Sequence, residues 1–441
     1  MDILKNLNLA EYKVVKKVKD GYKKTELGKI PIDWEVKKLE EFSISSSYGP
    51  RFSAELYDES GNCRIIRGTD VIANGKVDYA GIPYASISNE VLEKHRLIEN
   101  DFVVITTADC GVSFVFDTNG VFMPSAYMVR IRFNDKISPY FVNKFFYTKI
   151  IQRQVEKHIR KGTLANLPGS DLLKFKICIP PLLEQKKIAE ILSTVDCQID
   201  DTDKLIEKTK ELKKGLMQRL LTKGIGHKDF KMTEIGEIPL EWRVTELQSL
   251  YVENIRDFGS FSTTKLIEYV DSGIPYLRSE NFRGNRIVLN TISYITDEVD
   301  FLLDKSYVNK GNILFTKIGN IGCAYLYNGE LGERCNSNAT IAKISIDNEK
   351  YDPQYIVYYL VSTQCKKQYV GSIISTPPRI NMGEINKLKI ALPDLEEQRQ
   401  IAIILSSVDI QIEEYENKKA KLEELKKGLS QQLLIGKIRV I

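Results

Sequence analysis

Residues 184–221 read EQKKIAEILSTVDCQIDDTDKLIEKTKELKKGLMQRLL, and residues 397–434 read EQRQIAIILSSVDIQIEEYENKKAKLEELKKGLSQQLL. The two stretches align without a gap at an offset of 213 residues, and 21 of the 38 positions are identical. A second match lies upstream, where TELGKIPIDW at 25–34 resembles TEIGEIPLEW at 233–242. Two copies are too few for a solenoid. The repeat therefore predicts a pseudo-symmetric molecule with two similar working ends.

The segments between these repeated parts diverge. GNCRIIR at 61–67 resembles GIPYLR at 273–278 only faintly, and FVVIT at 102–106 resembles NILFT at 312–316. The repeated parts therefore surround variable inserts. This pattern is expected if the two inserts share a fold but bind different things.

The long repeated stretches have the pattern of helices. Pro181 and Pro393 prevent a helix from running in from upstream, although a proline is tolerated in a first helical turn. In the second copy, Asp394 and Glu397 have the spacing of a capping box. Apolar residues follow at the alternating four-and-three spacing of a coiled-coil seam. The predicted seam consists of Ile188, Leu192, Val195, Ile199, Ile401, Leu405, Val408 and Ile412.

Each predicted helix has a single apolar stripe, and 38 residues at about 1.5 Å each make a rod of roughly 57 Å. The simplest way to bury both stripes is to pack the two helices against each other. An antiparallel pairing would give a pseudo-two-fold axis and would hold the two inserts apart. The alternative is that each helix packs only on its own domain. The register of the repeat also predicts that the two ends of the chain lie near each other.

Composition limits the class of protein. With 441 residues, 43% hydrophobic and 28% charged, the chain fits two or three soluble globular domains. No apolar run approaches the roughly 20 residues of a membrane span, and the start MDILKN lacks a signal-peptide pattern. Seven scattered cysteines without a Cys-x-x-Cys pair, and only three histidines, argue against structural zinc or disulfides. We expect a reduced, cytoplasmic protein.

The net charge is small and unevenly placed. The chain carries +4 overall, and residues 1–24 alone hold seven lysines and three acidic residues. The rest of the chain is therefore neutral. A protein that gripped DNA by bulk charge alone would show a larger excess. Any nucleic-acid binding must therefore use local patches, or a partner that supplies phosphate contacts.

Motifs for catalysis are missing from the sequence. There is no phosphate-binding Gly-x-x-x-x-Gly-Lys-Ser/Thr loop, no Asn/Asp-Pro-Pro-aromatic segment, and no His-Glu-x-x-His or Gly-x-Ser-x-Gly. The sequence GNIG at 319–322 is most simply a turn. We therefore expect no catalytic residue and no metal or cofactor bound by this chain.

Basic and aromatic residues cluster in predicted loops of the inserts. Arginine can bond guanine at two points, and lysine or main-chain amides can bind phosphates. For any single residue, the plainer interpretation is a solvated surface, and Trp34 and Trp242 fit a hydrophobic core better than a ligand contact. The candidate DNA-binding residues are Tyr48, Arg51, Arg64, Arg67, Lys76, Arg160, Lys161, Thr163, Arg256, Lys265, Arg278, Arg283, Arg286, Lys317 and Arg379.

Together these residues resemble a known family. The motif IPPLLEQKKIA at 179–189 and its partner LPDLEEQRQIA at 392–402 match the specificity subunit of type I restriction-modification enzymes. The LKKGL segment in both copies and the Gly-x-Ile-Pro-x-x-Trp opening of each half are also typical of that family. The chain departs from the pattern at Asp394, which replaces the second proline and can still cap a helix.

The resemblance implies an α+β fold with two mixed α/β target recognition domains, separated by two long helices that pair as an antiparallel coiled coil. The expected segments are an N-terminal linker at 1–24, recognition domain 1 at 25–180 and the first helix at 181–224. A linker with recognition domain 2 follows at 225–392, and the second helix with the tail at 393–441.

The resemblance also implies partners. Each recognition domain would read half of a split double-stranded DNA site, while the helices set the gap and dock two adenine methyltransferase subunits. S-adenosylmethionine would be bound by those subunits, and ATP and Mg would serve motor-nuclease subunits. No membrane is involved. The alternative from another class is a coiled-coil scaffold that joins two protein partners without reading DNA, and an unrecognised nuclease is a third.

Overall fold

The structure of the protein is a computed structural model that describes residues 14–15, 21–72, 75–253, 255–256, 267–372 and 378–440. It divides into two compact units. Unit 1 combines Met1–Asp203 with Asn417–Ile441, and unit 2 is Lys204–Glu416. Each unit therefore contains one divergent insert and about half of each long helix.

The elements follow one another in the same general order in both halves of the sequence. The first half contains β1 (Val14–Val15), β2 (Tyr22–Thr25), β3 (Gly28–Pro31), β4 (Glu35–Lys38), β5 (Ser43–Tyr48), β6 (Cys63–Ile66), β7 (Val71–Ile72), β8 (Lys76–Val77), β9 (Tyr84–Ala85), α1 (Asn89–His95), β10 (Phe102–Ile105), β11 (Ser113–Val115), β12 (Phe122–Pro124), β13 (Met128–Phe133), α2 (Pro139–Phe146), α3 (Lys149–His158), α4 (Gly169–Leu172), β14 (Lys176–Ile179) and α5 (Leu182–Lys223).

The second half contains β15 (Phe230–Thr233), β16 (Gly236–Pro239), β17 (Arg243–Glu246), β18 (Tyr269–Val270), β19 (Ile274–Leu277), β20 (Phe282–Arg283), β21 (Arg286–Ile287), β22 (Ser293–Ile295), α6 (Asp297–Leu302), β23 (Ile313–Thr316), β24 (Ala324–Leu326), β25 (Asn336–Ser337), β26 (Ile341–Ile344), α7 (Pro353–Val361), α8 (Thr363–Lys367), α9 (Met382–Asn386), β27 (Lys389–Leu392), α10 (Leu395–Leu433) and β28 (Arg439–Val440). Short 3-10 helices lie at Leu39–Glu41, Ala54–Leu56, Gly68–Asp70, Leu247–Leu250, Ser279–Asn281, Leu289–Thr291, Asp304–Ser306 and Val370–Ser372.

Each insert contains one antiparallel sheet and one mixed sheet. In unit 1, one sheet has the order β11-β10-β13-β5, and a second has β12-β6-β9 with β12 parallel to β6. In unit 2, the corresponding sheets are β24-β23-β26 and β18-β22-β19-β25, with β25 parallel to β19. The central strand β10 is apolar along its whole length and fully buried, as a strand covered on both faces must be. The predicted α+β fold with mixed α/β recognition domains is confirmed.

A two-stranded pairing closes the base of each insert. Strand β4 pairs antiparallel with β14, so Val36 lies opposite Cys178. Strand β17 pairs with β27 in the same way, so Val244 lies opposite Ala391. The chain therefore leaves each insert where it entered, directly before a long helix.

The two long helices, α5 and α10, pair antiparallel within each unit. In unit 1, Asp196 bonds Lys426 and Asp203 bonds Lys419. In unit 2, the ion pairs are Lys213–Asp409 and Lys210–Glu416. Position numbers rise along one helix as they fall along the other in each unit. This is the antiparallel pairing that the repeat predicted.

The residues of the predicted seam are buried, although the two stripes do not meet each other. In unit 1, Ile188 and Leu192 share a core with Leu433 of α10. In unit 2, Ile401 and Leu405 share a core with leucines of α5 near its end. The apolar residues in the N-terminal half of each helix therefore pack near those at the C-terminal end of the other helix. An antiparallel arrangement requires this register.

The capping box predicted for Asp394 and Glu397 at the start of α10 forms only in part. The Asp394 Oδ1 accepts a hydrogen bond from the Glu397 main-chain N–H at 2.8 Å, so Asp394 caps the helix as expected. The Glu397 side chain does not complete the capping box. It accepts instead from the Trp242 Nε1–H at 2.9 Å and contacts His227 Nε2 at 2.9 Å. The predicted core role of Trp242 is confirmed, because its side chain is buried.

The two ends of the sequence meet in one short sheet. Strand β1 pairs antiparallel with β28, so Val14 lies opposite Val440 and Val15 opposite Arg439. The predicted proximity of the ends is therefore observed. Among the described residues, no helix combines the length and the apolar character that crossing a membrane requires.

Candidate nucleic-acid interface

Four segments of unit 1 meet at one edge of its sheets. The Ser125 N–H donates to the Ile66 carbonyl at 2.9 Å, which joins the turn after β12 to the end of β6. The Thr106 N–H donates to the Tyr127 carbonyl at 2.9 Å, and the Leu167 N–H donates to the Thr106 carbonyl at 2.8 Å. These main-chain bonds bring together the end of β6, the turn after β12, the loop after β10 and the loop after α3.

Unit 2 repeats this main-chain ladder. The Asn338 N–H donates to the Leu277 carbonyl at 2.9 Å. The Lys317 N–H donates to the Thr340 carbonyl at 2.8 Å, and the Ile380 N–H donates to the Lys317 carbonyl at 2.9 Å. Both inserts thus present corresponding loops from one edge, although their side chains differ. We call these the recognition edges, with edge 1 in unit 1 and edge 2 in unit 2.

Exposed side chains crowd edge 1. Tyr127, in the turn after β12, is 60% exposed, and Leu164, in the loop after α3, is 63% exposed. Two large side chains with apolar surface therefore face solvent on this edge. The predicted DNA-binding residues Arg160, Lys161 and Thr163 are also exposed there. Edge 1 therefore combines cations with apolar surface, a mixture suited to base edges and thymine methyl groups.

Arg67 follows β6, and hydrogen bonds to Asp70 fix its orientation. The Arg67 main-chain N–H donates to Asp70 Oδ2 at 2.8 Å, and its guanidinium donates to both Asp70 oxygens at 3.0 and 2.7 Å. The Asp70 side chain is buried while that of Arg67 is 44% exposed. A buried carboxylate thus orients an accessible guanidinium and raises the Arg67 pKa through its hydrogen bond.

The equivalent arginine of edge 2 is Arg278. Its N–H donates to the Asn281 Oδ1 at 2.7 Å, as in unit 1, but its guanidinium has different partners. It donates to the Ser293 Oγ at 2.8 Å and lies 5.2 Å from the centre of the Tyr269 ring. It also forms an ion pair with Glu280. The two arginines share a position in the fold, but different neighbours orient them.

Tyr48 and Arg51 lie next to the turn of edge 1. The Gly169 N–H donates to the Tyr48 hydroxyl at 2.6 Å, and the Gly49 N–H donates to the Met128 carbonyl at 3.1 Å. Tyr48 is 44% exposed, and Arg51 is exposed on the segment that follows. The structure therefore places both predicted residues at the border of edge 1.

Two further predicted cations of edge 2, Arg379 and Lys317, differ in accessibility. Arg379 is exposed and forms a main-chain bridge with Ile318. Lys317 is only 7% exposed, so little of its side chain reaches the surface. Arg379 is therefore the more accessible cation of edge 2.

Two predicted DNA-binding residues are bonded to the long helices instead. Lys76 forms an ion pair with Asp200 of α5. Arg286 donates to Glu416 Oε2 at 2.8 Å and to the Asp409 carbonyl at 3.1 Å, both on α10. Their charges are already matched by acidic groups of the helices. The structure therefore gives these two residues structural partners rather than a place on an edge.

Three other candidates also have partners inside their own insert. Arg64 donates to the Tyr84 hydroxyl at 2.5 Å and stacks 4.8 Å from the centre of that ring. Arg256 bonds Glu253 at 2.5 Å. Arg283 donates to two main-chain carbonyls of its own segment at 3.0 and 2.8 Å. The remaining candidate, Lys265, lies outside the described residues.

Several residues of the edges could not be predicted from the sequence. Tyr127 and Asn166 in unit 1 carry no motif, and the ladder alone identifies them. Ala108 follows β10 with a φ of 64°, in the left-handed region that residues other than Gly, Asn and Asp rarely adopt. Its counterpart in unit 2 is Gly319, with a φ of 77°. The GNIG sequence at 319–322, which was predicted to be a turn, therefore lies on edge 2 and was the sequence feature that could have located it.

The described residues offer no cluster of three or more His, Cys, Asp or Glu side chains that could hold a metal ion. Many acidic side chains of the described residues instead form ion pairs, either between an insert and a long helix or within one insert. What the two edges offer a ligand is therefore exposed guanidinium, ammonium, hydroxyl and aromatic groups.

Comparison with known proteins identifies the family. A family model described as the type I restriction modification DNA specificity domain matches residues 31–211 and 239–424. The chain belongs to this family. Its specificity-domain matches cover each insert together with part of the following long helix. The protein is accordingly a type I restriction-modification DNA specificity subunit with two target recognition domains, and edges 1 and 2 are exposed borders of those domains.

Individual relatives agree with this assignment. The specificity subunit of the type I restriction enzyme MjaVIII from Methanocaldococcus jannaschii is 30% identical, covering 93% of this chain and 94% of that protein. The EcoBI specificity subunit from Escherichia coli is 22% identical over 79% of this chain and 73% of its own length. In fold, the chain resembles the crystal structure of the S subunit of a type I system from M. genitalium. That comparison has a TM-score of 0.60 at 16% identity and covers 91% and 96% of the two chains.

Proposed function

We propose that each recognition domain reads one half of a split DNA site through its recognition edge. The observation that carries this proposal is the repeated ladder with unlike side chains. Position for position, Tyr127 of edge 1 corresponds to Thr340 of edge 2, and Asn166 corresponds to Arg379. A common frame with different side chains gives two readers of related geometry and different preference.

The chemistry of the exposed groups suits base edges in the major groove. Arg67 can direct its guanidinium to the O6 and N7 of guanine, a pairing that discriminates by about 1–3 kcal/mol, and Arg278 can offer its Nη1 group to a single acceptor. The Asn166 amide suits adenine, and Tyr127 offers apolar contact to a thymine methyl group. Main-chain N–H groups and lysines would take phosphates and fix the register without reading sequence.

The paired helices would set the distance between the half-sites. Half-sites read from one face of B-DNA lie about one turn, roughly 34–36 Å, apart or a multiple of it. Because α5 and α10 each contribute residues to both units, the helix pair would connect the two readers. The gap between half-sites would therefore be a property of this chain.

Chemistry on the DNA would come from partner subunits. In this proposal the chain is non-catalytic and docks two adenine methyltransferase subunits, which bind S-adenosylmethionine. Motor-nuclease subunits with ATP and Mg would cut unmodified DNA. The +4 net charge supports this division, because such a chain would need partners to complete the phosphate contacts. We propose no cofactor site on this chain.

A selection from random DNA tests the proposal. The chain would be purified in complex with its methyltransferase subunits and incubated with a random duplex pool, and bound molecules would be sequenced. We expect two short specified blocks around a gap of constant length. A continuous motif would contradict the two-ended reading, and no enrichment by an assembled complex would favour the scaffold function instead.

A further inference from the structure

A hairpin in unit 2 reaches from edge 2 to both long helices. It is formed by β20 and β21, and it begins one short 3-10 helix after Arg278. We infer that this hairpin, residues 282–287, is a strut that fixes the orientation of recognition domain 2 on the helix pair. The strut thereby restricts the gap that the subunit accepts between half-sites. This inference rests on the proposed function and names residues that determine one part of its specificity.

The tip of the strut bonds both helices through one side chain. The Asn285 Nδ2 donates to Asp409 Oδ2 of α10 at 2.8 Å. The Lys213 Nζ of α5 donates to Asn285 Oδ1 at 2.8 Å and to Asp409 Oδ1 at 2.6 Å. A single amide therefore lies inside an interhelical ion pair. Its removal would leave both helices paired but would take away one of the attachments of the hairpin tip.

The next residue makes a second attachment. Arg286 donates from Nη1 to Glu416 Oε2 at 2.8 Å and from Nη2 to the Asp409 carbonyl at 3.1 Å. Gly284 at the turn has a φ of 59°, which a glycine adopts without strain and which lets the tip turn tightly. The tip thus points two neighbouring polar side chains into the helix pair.

The surroundings of these bonds make them rigid. The side chains of Lys213 and Asp409 are each only 15% exposed, and Asp409 also accepts from the Tyr358 hydroxyl at 2.8 Å. Hydrogen bonds to charged groups are stronger than neutral ones, and partial burial reduces their screening. The strut therefore ends in a fixed polar network rather than on a mobile surface ion pair.

The place where the strut attaches explains why it would affect the gap between half-sites. Recognition domain 2 is joined to the helices at its base, where β17 pairs with β27 and Trp242 bonds Glu397 of α10. Tyr358 also bonds Asp409, and Ile401 and Leu405 belong to the apolar core of this domain, so the hairpin adds a further polar attachment that restricts tilting of the domain on the helices. In unit 1, Lys76 of the β7–β8 hairpin forms an ion pair with Asp200 of α5, so a hairpin at the matching place also contacts a long helix.

The test measures gap tolerance with the whole complex. Full-length chain and methyltransferase subunits would be given a library of DNA sites with the native half-sites and gaps one base pair shorter, native and one base pair longer. Methylated adenines would be counted for each gap. For Arg286→Ala and Asn285→Ala, we expect methylation at the altered gaps to rise about tenfold relative to the native gap, since losing one charge-assisted bond shifts an equilibrium by about that factor.

Matched variants separate the strut from a loss of charge or of fold. Lys210→Ala also removes one cation from the same network but leaves Arg286 bonded to Glu416, so its gap preference should match that of the unaltered chain. Arg286→Glu should relax the gap further, and adding Glu416→Arg in a Lys210→Ala background, which removes the cation beside position 416, should restore much of the narrow preference. That rescue is not expected of a residue whose loss merely destabilises the domain.

The outcomes are distinguishable from failure of the proposed function. If the unaltered complex shows no split motif, the proposed function fails and the strut with it. If it shows a split motif with a strict gap, and the Arg286 and Asn285 variants keep that gap, the strut alone is wrong. If Arg286→Ala changes the bases preferred in one half-site and leaves the gap strict, Arg286 contacts DNA and the strut is overturned.

Discussion

Asp196 of α5 and Lys426 of α10 form an ion pair of 2.6 Å in unit 1. Lys213 of α5 and Asp409 of α10 form an ion pair of the same length in unit 2. Positions 196 and 409 correspond in the repeat, as do 213 and 426. Each unit therefore contains the same two positions, contributed by opposite helices. Two copies of one sequence that pair antiparallel must exchange partners in this way.

Loss of the Asp196 carboxylate should destabilise unit 1. Asp196 also accepts from the Lys144 Nζ at 2.6 Å, so Asp196→Asn would leave two partly buried ammonium groups without their shared anion. We expect the free energy of unfolding to fall by about 3 kcal/mol, typical of breaking a buried ion pair. Urea denaturation followed by Trp34 fluorescence measures this in a Trp242→Phe background, because the chain has only two tryptophans. Lys419→Ala removes a more exposed pair with Asp203 and should cost less than about 1 kcal/mol.

The same carboxylate predicts an acid sensitivity. Burial alone would raise the pKa of Asp196, but Lys144 and Lys426 outweigh it and hold that pKa below its usual value. A group with a lowered folded pKa stabilises the fold above its unfolded pKa and loses that contribution as pH falls through the folded value. The free energy of unfolding should therefore decline below about pH 4. Asp196→Asn should show a shallower decline, and an unchanged slope would contradict this assignment.

The tail of the chain should stabilise unit 1 through Arg439. Its guanidinium donates to both Glu184 oxygens at 2.7 Å and to Asp33 at 2.8 and 2.7 Å, and Glu184 is buried. Arg439→Ala would leave the buried Glu184 carboxylate without its ion-pair partner, and the free energy of unfolding should fall by about 3 kcal/mol. Trp34 fluorescence reports the loss directly, because its Nε1–H donates to Glu184 at 3.2 Å. The exposed Lys437 of the same tail is the control, and its alanine variant should change stability by less than about 0.5 kcal/mol.

A single glycine substitution should stabilise edge 1. Ala108 has a φ of 64°, which costs an L residue roughly 1–2 kcal/mol, whereas its counterpart Gly319 has no such cost. Ala108→Gly relieves the strain but adds freedom to the unfolded chain, for a net gain of about 0.5 kcal/mol. Thermal unfolding compared with the parent chain measures it. A clear loss of stability would mean that the Ala108 methyl group makes packing contacts that outweigh the strain.

The two edges should act independently. Arg379→Ala should weaken or relax recognition of one half-site, and the double variant Arg160→Ala/Lys161→Ala should affect only the other. A lost bidentate base contact costs about 1–3 kcal/mol, whereas a lost phosphate contact weakens binding equally for all sequences and reduces its salt dependence. Methylation of sites with one altered half at a time distinguishes the cases. Equal losses at both half-sites from one substitution would contradict modular reading.

Repeated residues were enough to predict most of the fold. The repeat predicted two long helices that pair, and the repeated Trp34 and Trp242 indicated equivalent core positions. The expectation that the two heptad stripes pack on each other was wrong, because each stripe packs near the C-terminal end of the other helix. The edges were less predictable, because main-chain hydrogen bonds between distant loops bring them together and no side-chain motif records such bonds. Lys76 and Arg286 illustrate this limit. Their charges suggested DNA contacts, whereas their acidic partners on the helices are far away in sequence and became evident only in the folded chain.

The most direct measurement is a map of methylated adenines. The chain and its methyltransferase subunits would be expressed in a host without DNA methylation, and the modified bases would be sequenced across the genome. We predict a single split motif, with two short specified halves around a gap of constant length. A continuous motif, or no methylation above background from a complex shown to assemble, would contradict the account.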